Sequence, residues 1–258
     1  MENLACPYCF NKFSNIDATH KDCICVNCNL TFKYNNFFHL YRNDDTWIKC
    51  LEQVIAVRRA EASDFSYQSP KTVEQEKHVV SSIDVNEEMI KICMDHIGNI
   101  NGKVFLDLGG SSGWASSRFI KEGANNGYLM DIDAKLLGCF DSNIISIIGD
   151  GYFIPLIDGC LDFVFDCSAL HHFEDKPEVL RQIHRVLKPG GIYVSQGNPP
   201  REGENDDDRT RYMKDFGLIE TMPTRSEYEN YFNEVFGNIN MIPASGGNMV
   251  MHATKQRN

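Results

Sequence analysis

The chain has no apolar run close to the ~18–20 residues that a membrane-crossing helix needs, which argues against a helical membrane span. It also has no Lys/Arg-rich block. Basic residues are the minority, 25 Lys and Arg against 36 Asp and Glu, for a formal net charge of −11. Affinity for nucleic acid comes largely from neutralising phosphates, so this balance argues against loose, sequence-independent binding to RNA or DNA. A basic-then-apolar leader of the secretory kind is missing at Met1, and the expected location is the cytoplasm. No internal repeat is evident. With 258 residues, 42% of them hydrophobic, the chain can bury a core without disulfides.

What is present stands out against that background. Five of the ten cysteines fall within the first 28 residues, and clustered cysteines in a reducing compartment point to metal before disulfide. Cys6-Pro7-Tyr8-Cys9 and Cys25-Val26-Asn27-Cys28 are two C-x-x-C pairs separated by 15 residues. Each pair supplies two thiolates from one tight turn, and four complete the tetrahedron of a structural zinc site. Cys23 and His20 are substitutes with poorer spacing. Phe10, Phe13, Phe32 and Tyr34 follow the knuckles and give a minimal core. So small a segment needs its metal to fold, and Cys6→Ser is expected to unfold mainly this segment.

Further along, residues 44–62 and 73–98 read as helices, with a linker over 63–70. After Gly102 the pattern changes. KVFLDL, GYLMDID, IISIIGD, LDFVFDCSAL and IYVSQGN are apolar runs that alternate with helical stretches from Trp114 to about Glu122 and over PEVLRQIHRVLK, which stops at Pro189-Gly190-Gly191. Strands alternating with helices predict an α/β fold with a parallel sheet. The end of the chain reads as less regular. The polar stretch REGENDDDR (201–209) is a solvated loop by composition, or a lid, since it follows the fifth strand.

The most informative stretch is Phe105-Leu106-Asp107-Leu108-Gly109-Gly110-Ser111-Ser112-Gly113. Glycines there permit a tight turn and close approach of a ligand to the backbone. A dinucleotide site would show G-x-G-x-x-G, and here the third glycine is missing. Asp107 would repel a pyrophosphate but suits a cationic amino-acid group, which steers the reading from a nicotinamide cofactor to S-adenosylmethionine. Asp131, at the end of the second strand, suits ribose hydroxyls, with Asp133 a neighbouring alternative. Asp150, in Gly149-Asp150-Gly151 after the third strand, suits an adenine amino group, with the Gly151 N–H for a ring nitrogen. Each of these aspartates alone could equally be a helix cap.

DLGGSSG, MDID, GDGYFIPLIDGCLDFVFDCSALHHF and VLRQIHRVLKPGG together resemble the class I S-adenosylmethionine-dependent methyltransferases of the ubiquinone/menaquinone-methylase type, over about residues 74–197. The resemblance implies a seven-stranded Rossmann-like sheet, and the cysteine spacing puts a zinc ribbon in front of it. The resemblance also implies that Asp107, Gly109 and Gly113 frame the methionine part, that Asp131 holds the ribose with Ile132 against the adenine, and that Asp150 and Gly151 contact the adenine edge. Asp166 to Ser168 would line the methyl site. Ser111 replaces the family's middle glycine and Leu156 a common phenylalanine. His171 and His172 follow the fourth strand and are candidates for a general base, with a structural role as the alternative. His184 falls within a helix and reads as structural. Asn198-Pro199-Pro200-Arg201 is similar to the N-P-P-Y motif of amino-group methyltransferases, but it follows the wrong strand and lacks the aromatic residue.

The expected organisation is a zinc ribbon over 1–38, a helical linker or cap over 39–98 and a methyltransferase domain over 99–258. The expected cofactors are S-adenosylmethionine and a structural Zn2+. The expected substrate is a small molecule or peptide, methylated on oxygen or nitrogen. RNA recognised through the ribbon is the alternative, and a protein that binds the cofactor without transferring methyl is a third reading.

Overall fold

A computed structural model describes residues 1–16, 22–45, 47–49, 51–52, 84–134, 137–138, 141–198, 200–201, 222–244 and 249–257. His20, the linker at 63–70, most of the helix expected over 44–62, residues 73–83 of the helix expected over 73–98, and residues 202–209 of the polar stretch lie outside these residues.

The chain opens with a three-stranded antiparallel sheet of β1 (Asn15–Ile16), β2 (Cys23–Cys25) and β3 (Leu30–Phe32). Next come β4 (Tyr34–Asn35), β5 (Phe37–His39) and α1 (Asp84–Ile97). The α/β part follows in the order β6 (Val104–Leu108), α2 (Trp114–Lys121), β7 (Asn126–Asp131), β8 (Ile144–Ile148), β9 (Leu161–Cys167), α3 (Lys176–Val186), β10 (Leu187–Gln196), α4 (Arg225–Phe236), β11 (Asn240–Pro243) and β12 (Met249–Thr254).

β4 to β12 form one nine-stranded sheet, ordered β11-β12-β10-β9-β6-β7-β8-β5-β4. β7, β8, β9 and β10 run parallel to β6, while β12 runs antiparallel to β10 and β11. The seven expected strands are therefore present, and two from the N-terminal segment extend them. β5 adds parallel to β8 through Phe38↔Ile147 and His39↔Ile148, so residue 38, the expected end of the ribbon, lies inside a strand of the main sheet.

The central strands are buried on both faces, as parallel strands between helices must be. On one face Phe105, Phe163 and Phe165 pack against Phe119 of α2 at ring distances of 5.2–5.3 Å. On the other, Tyr193 stacks on Phe232 of α4 at 5.7 Å.

Two local expectations change. α3 ends at Val186, ahead of Pro189, because Leu187 already pairs with Leu161; the Pro-Gly-Gly stretch lies in an irregularity of β10 before Ile192↔Phe163. The described residues from 222 onward are more regular than expected. The Thr224 hydroxyl accepts from the Glu227 N–H while the Glu227 carboxylate accepts from the Thr224 N–H, a reciprocal cap that starts α4. Gly237, at φ 70°, ends it.

The N-terminal segment is not an appendage. Ala5 N–H donates to Pro155 O at 2.9 Å and Ile157 N–H to Asn3 O at 3.0 Å. Leu4, Cys6, Phe13, Cys25, Phe32 and Phe38 belong to the same continuous core as Leu106, Ile154, Leu156 and Val179.

Candidate cofactor site and four-cysteine cluster

The glycine-rich turn leaves β6 at its carboxyl end, where ligands of open α/β sheets bind. Asp107 is almost fully buried. Its Oδ2 accepts from the Ser116 hydroxyl at 2.7 Å and the Ser116 N–H at 3.1 Å, at the start of α2. Among the described residues its Oδ1 is buried without a hydrogen-bond partner, as is the hydroxyl of fully buried Ser112. Burial pushes the Asp107 carboxyl up to about 7, and the Ser116 bonds oppose that rise.

The glycines are sterically required. A Cβ on Gly109 (φ +67°) would lie 2.7 Å from the Ala169 Cβ. Gly110, which the sequence reading passed over, is as tight: a Cβ there would sit 2.4 Å from Leu129 Cδ1 and 2.6 Å from Asp107 Oδ1. Gly113, at φ 74°, precedes α2. Ser111, in the family's glycine position, adopts φ 48°, a left-handed conformation that costs a non-glycine residue about 1 kcal/mol. Ser111→Gly should therefore keep the fold and raise the melting temperature by a few degrees; a lowered value in a thermal melt would show that the serine side chain contributes more than the backbone strain costs.

Asp131 ties the turn to β7: its Oδ2 accepts from Ser111 N–H at 2.9 Å and its Oδ1 from Asp133 N–H at 2.8 Å. Ile132 packs beside a cluster built on Trp47, Leu129, Leu137, Ile144 and Ile148. Asp150 caps the 3-10 turn Gly151–Phe153 by accepting from Tyr152 N–H at 2.9 Å. A Cβ on Gly151 would lie 2.6 Å from the Phe173 ring, which would have to shift. Asp107, Asp131 and Asp150 thus end three adjacent strands, β6, β7 and β8.

Asp166 is placed differently. In register, Asp107 lies beside Phe165 and Leu108 beside Asp166, so the two carboxylates point to opposite faces of the sheet. Asp166 is fully buried and accepts from the Tyr193 hydroxyl (2.7 Å), Asn198 Nδ2 (2.9 Å), Ala169 N–H (3.0 Å) and Leu170 N–H (3.2 Å). Burial raises its pKa and these donors oppose the rise.

Asn198, the first residue of the misleading Asn-Pro-Pro stretch, organises this region. Its Nδ2 faces three acceptors, Asp166 Oδ1, Ser195 Oγ at 2.8 Å and Gln196 O at 3.0 Å. The amide oxygen is therefore turned toward His171, where it accepts from the backbone N–H at 3.1 Å and meets Nδ1 at 2.7 Å. That orientation assigns the ring proton to Nδ1 and makes Nε2 the basic nitrogen. His171 is buried, whereas His172 is exposed, the two rings 4.0 Å apart. Tyr193, Ser195 and Asn198 carried no signal as a set; only the fold brings them to Asp166.

The four cysteines expected to hold metal converge. The Sγ atoms of Cys6, Cys9, Cys25 and Cys28 all lie within 4.8 Å of one another, with Cys6–Cys28 at 3.9 Å and Cys9–Cys25 at 3.6 Å. Zinc–sulfur bonds near ~2.3 Å in a tetrahedron require sulfurs about 3.8 Å apart, so the set fits a closed zinc site. The residue after each knuckle takes the same left-handed turn, Phe10 at φ 56° and Asn29 at φ 53°. Cys23 is buried in β2 outside the set.

The sheet order and the glycine turn define a class I methyltransferase fold. Residues 106–195 match the family described as "Methyltransferase domain". The chain is 33% identical over 92 residues to the mouse protein named "Arginine-hydroxylase NDUFAF5, mitochondrial", covering 34% of this chain and 27% of that one. It is 26% identical over 196 residues to the ubiquinone/menaquinone biosynthesis C-methyltransferase UbiE of Vibrio campbellii, covering 63% and 75%. The chain thus spans about a quarter of the mouse relative. Among solved structures it is similar in fold to a complex between the Haloferax volcanii Trm112 methyltransferase activator and a putative methyltransferase, with TM-score 0.59 and 16% identity over 70% of this chain and 93% of the other. Among the described residues no helix is long and apolar enough to cross a membrane.

Proposed function

We propose that the chain is an S-adenosylmethionine-dependent methyltransferase acting on an oxygen or nitrogen of a small molecule or peptide. The observation that carries this reading is two buried, unsatisfied polar atoms, Asp107 Oδ1 and Ser112 Oγ, at a turn where Gly109 and Gly110 leave no room for a Cβ. Buried polar groups left without partners are costly, and a cationic amino-acid group would complete them. S-adenosylmethionine supplies an electrophilic methyl group on a sulfonium.

In this reading Asp107, Gly109 and Gly113 surround the methionine part. Asp131 accepts from the ribose hydroxyls, Ile132 lies against the adenine, and Asp150 and Gly151 take the adenine edge. Asp166 acts as a positioning residue: through Asn198 it orients His171 with Nε2 as the nitrogen able to take a proton. His172, exposed beside it, is the second candidate base. Residues 1–38, whose strands β4 and β5 also extend the main sheet, carry the zinc module, with 39–98 as linker and cap and 99–258 as the catalytic domain. Placing an acceptor in line with the methyl group supplies much of the rate.

Asp131→Ala should weaken S-adenosylmethionine binding roughly tenfold while the protein stays folded, the cost of about one charge-assisted hydrogen bond; unchanged affinity by calorimetry would remove Asp131 from the site. The knuckles expose Tyr8, Val26 and Leu30, an apolar rim that suits a peptide better than a phosphate backbone. An RNA base methyltransferase is the second reading, favoured by the zinc module. Transfer of labelled methyl from S-adenosylmethionine into fractionated cell extract separates them: label in small molecules or peptides supports the first, and label in RNA overturns it.

A further inference from the structure

The segment that carries the proposed adenine contacts, residues 149–158, is held on one side by Arg185 of α3, whose guanidinium donates to Ile154 O and Leu156 O, each at 2.7 Å, and to Asp158 at 2.8 Å. Its other side is held by the N-terminal segment. Leu40 N–H donates to Ile148 O at 3.0 Å, where the loop leaves β8, and Asn3–Ala5 pair with 155–157. Between these anchors stands Arg42. Its Nε donates to Pro7 O at 2.7 Å and its Nη2 to Tyr8 O at 3.3 Å, the two carbonyls between Cys6 and Cys9. The same guanidinium lies 3.6 Å above the Phe153 ring, in the turn that Asp150 caps. One side chain therefore grips the first cysteine knuckle by its backbone and the adenine-side turn by its aromatic ring. Phe10, just after that knuckle, stacks on the Arg185 guanidinium at 4.1 Å, so both cations that hold the loop also hold the knuckle.

We propose that Arg42 couples the four-cysteine site to the cofactor site, so that metal occupancy and cofactor affinity are thermodynamically linked. The inference rests on the cofactor placement given above. A knuckle without metal loses the geometry that presents Pro7 O and Tyr8 O to Arg42. Freed from those acceptors, the guanidinium no longer fixes Phe153, and the Asp150–Gly151 edge loses its fixed position. Linkage makes the effect reciprocal: a ligand that prefers the ordered loop must tighten the metal site by the same factor.

The test uses full-length zinc-loaded protein and S-adenosylhomocysteine, with zinc affinity read by competition against a chromogenic chelator. Saturating S-adenosylhomocysteine should raise zinc affinity of the native protein about tenfold. Arg42→Ala should keep one zinc per chain, lower S-adenosylhomocysteine affinity by a similar factor and abolish the effect of S-adenosylhomocysteine on zinc. Arg42→Lys, which keeps charge without the planar fork, should recover only part. Phe153→Leu, altering the far end of the bridge, should remove the same coupling, and the two losses should not add. Zinc affinity identical with and without S-adenosylhomocysteine in the native protein overturns the proposal, as does an Arg42→Ala protein that retains the coupling. If zinc-loaded native protein binds neither S-adenosylmethionine nor S-adenosylhomocysteine, the cofactor reading falls and takes the proposal with it; the first two results leave that reading standing.

Discussion

Replacing Asp107 by asparagine is expected to cost about a hundredfold in S-adenosylmethionine affinity and to abolish a proton release that accompanies binding. Burial holds the Asp107 carboxyl near 7, against about 3.9 in an unfolded chain. The sign follows from linkage. Between about pH 4 and 7 the folded state keeps a proton that the unfolded state has lost, so stability present below about pH 4 is lost as pH rises to about 7. Asp107→Asn should flatten that slope by at most one proton, about 1.4 kcal/mol per pH unit at its steepest. A cationic ligand group beside Oδ1 favours the carboxylate, so binding near pH 6 should expel close to one proton and binding above about pH 8 none. Titration calorimetry in two buffers of different ionisation enthalpy counts the proton. Equal apparent heats in both buffers near pH 6 would mean that Asp107 does not face the cofactor's charge.

The second large effect is at the four-cysteine cluster. Taken alone, the sequence suggested that Cys6→Ser would unfold mainly the first segment. The structure changes that expectation, because Cys6 is fully buried in the core shared with Ile154, Leu156 and Leu106. Structural zinc gives isolated finger peptides ~10–16 kcal/mol of folding energy. A loss of even ~3–5 kcal/mol here should lower the melting temperature by about 10 °C. Calorimetry should show one transition moving as a whole, with zinc content reduced. A separate early transition, with the main one unmoved, would mean that the module folds independently.

Much of this was legible from residues 105–113 and 144–167, because a parallel strand buried on both faces and a glycine turn both leave local traces. The cysteine knuckles were legible for the same reason, since C-x-x-C confines its geometry to four residues. The Thr224–Glu227 cap is equally local, a Thr-x-x-Glu spacing within four residues. The Asp166 carboxylate was another matter. Which face of the sheet it takes depends on the register with β6, and its donors Tyr193 and Asn198 lie 27 and 32 residues away. Nor could spacing reveal that β5 joins the main sheet: a three-residue strand leaves almost no periodic signal, and its partner lies far along the chain.

That pairing, Phe38 beside Ile147, also sets an order of events during synthesis. β5 emerges from the ribosome more than a hundred residues before the strand it needs, and distant pairings form late. Until β8 arrives, Phe37 and Phe38 would stand as an open, sticky edge of the kind that nascent chains lose to aggregation. The cysteines ahead of them are made first. A metal captured then would fold the leading segment while its docking surface is still being translated, and zinc supply would govern the yield of folded protein as well as its final stability.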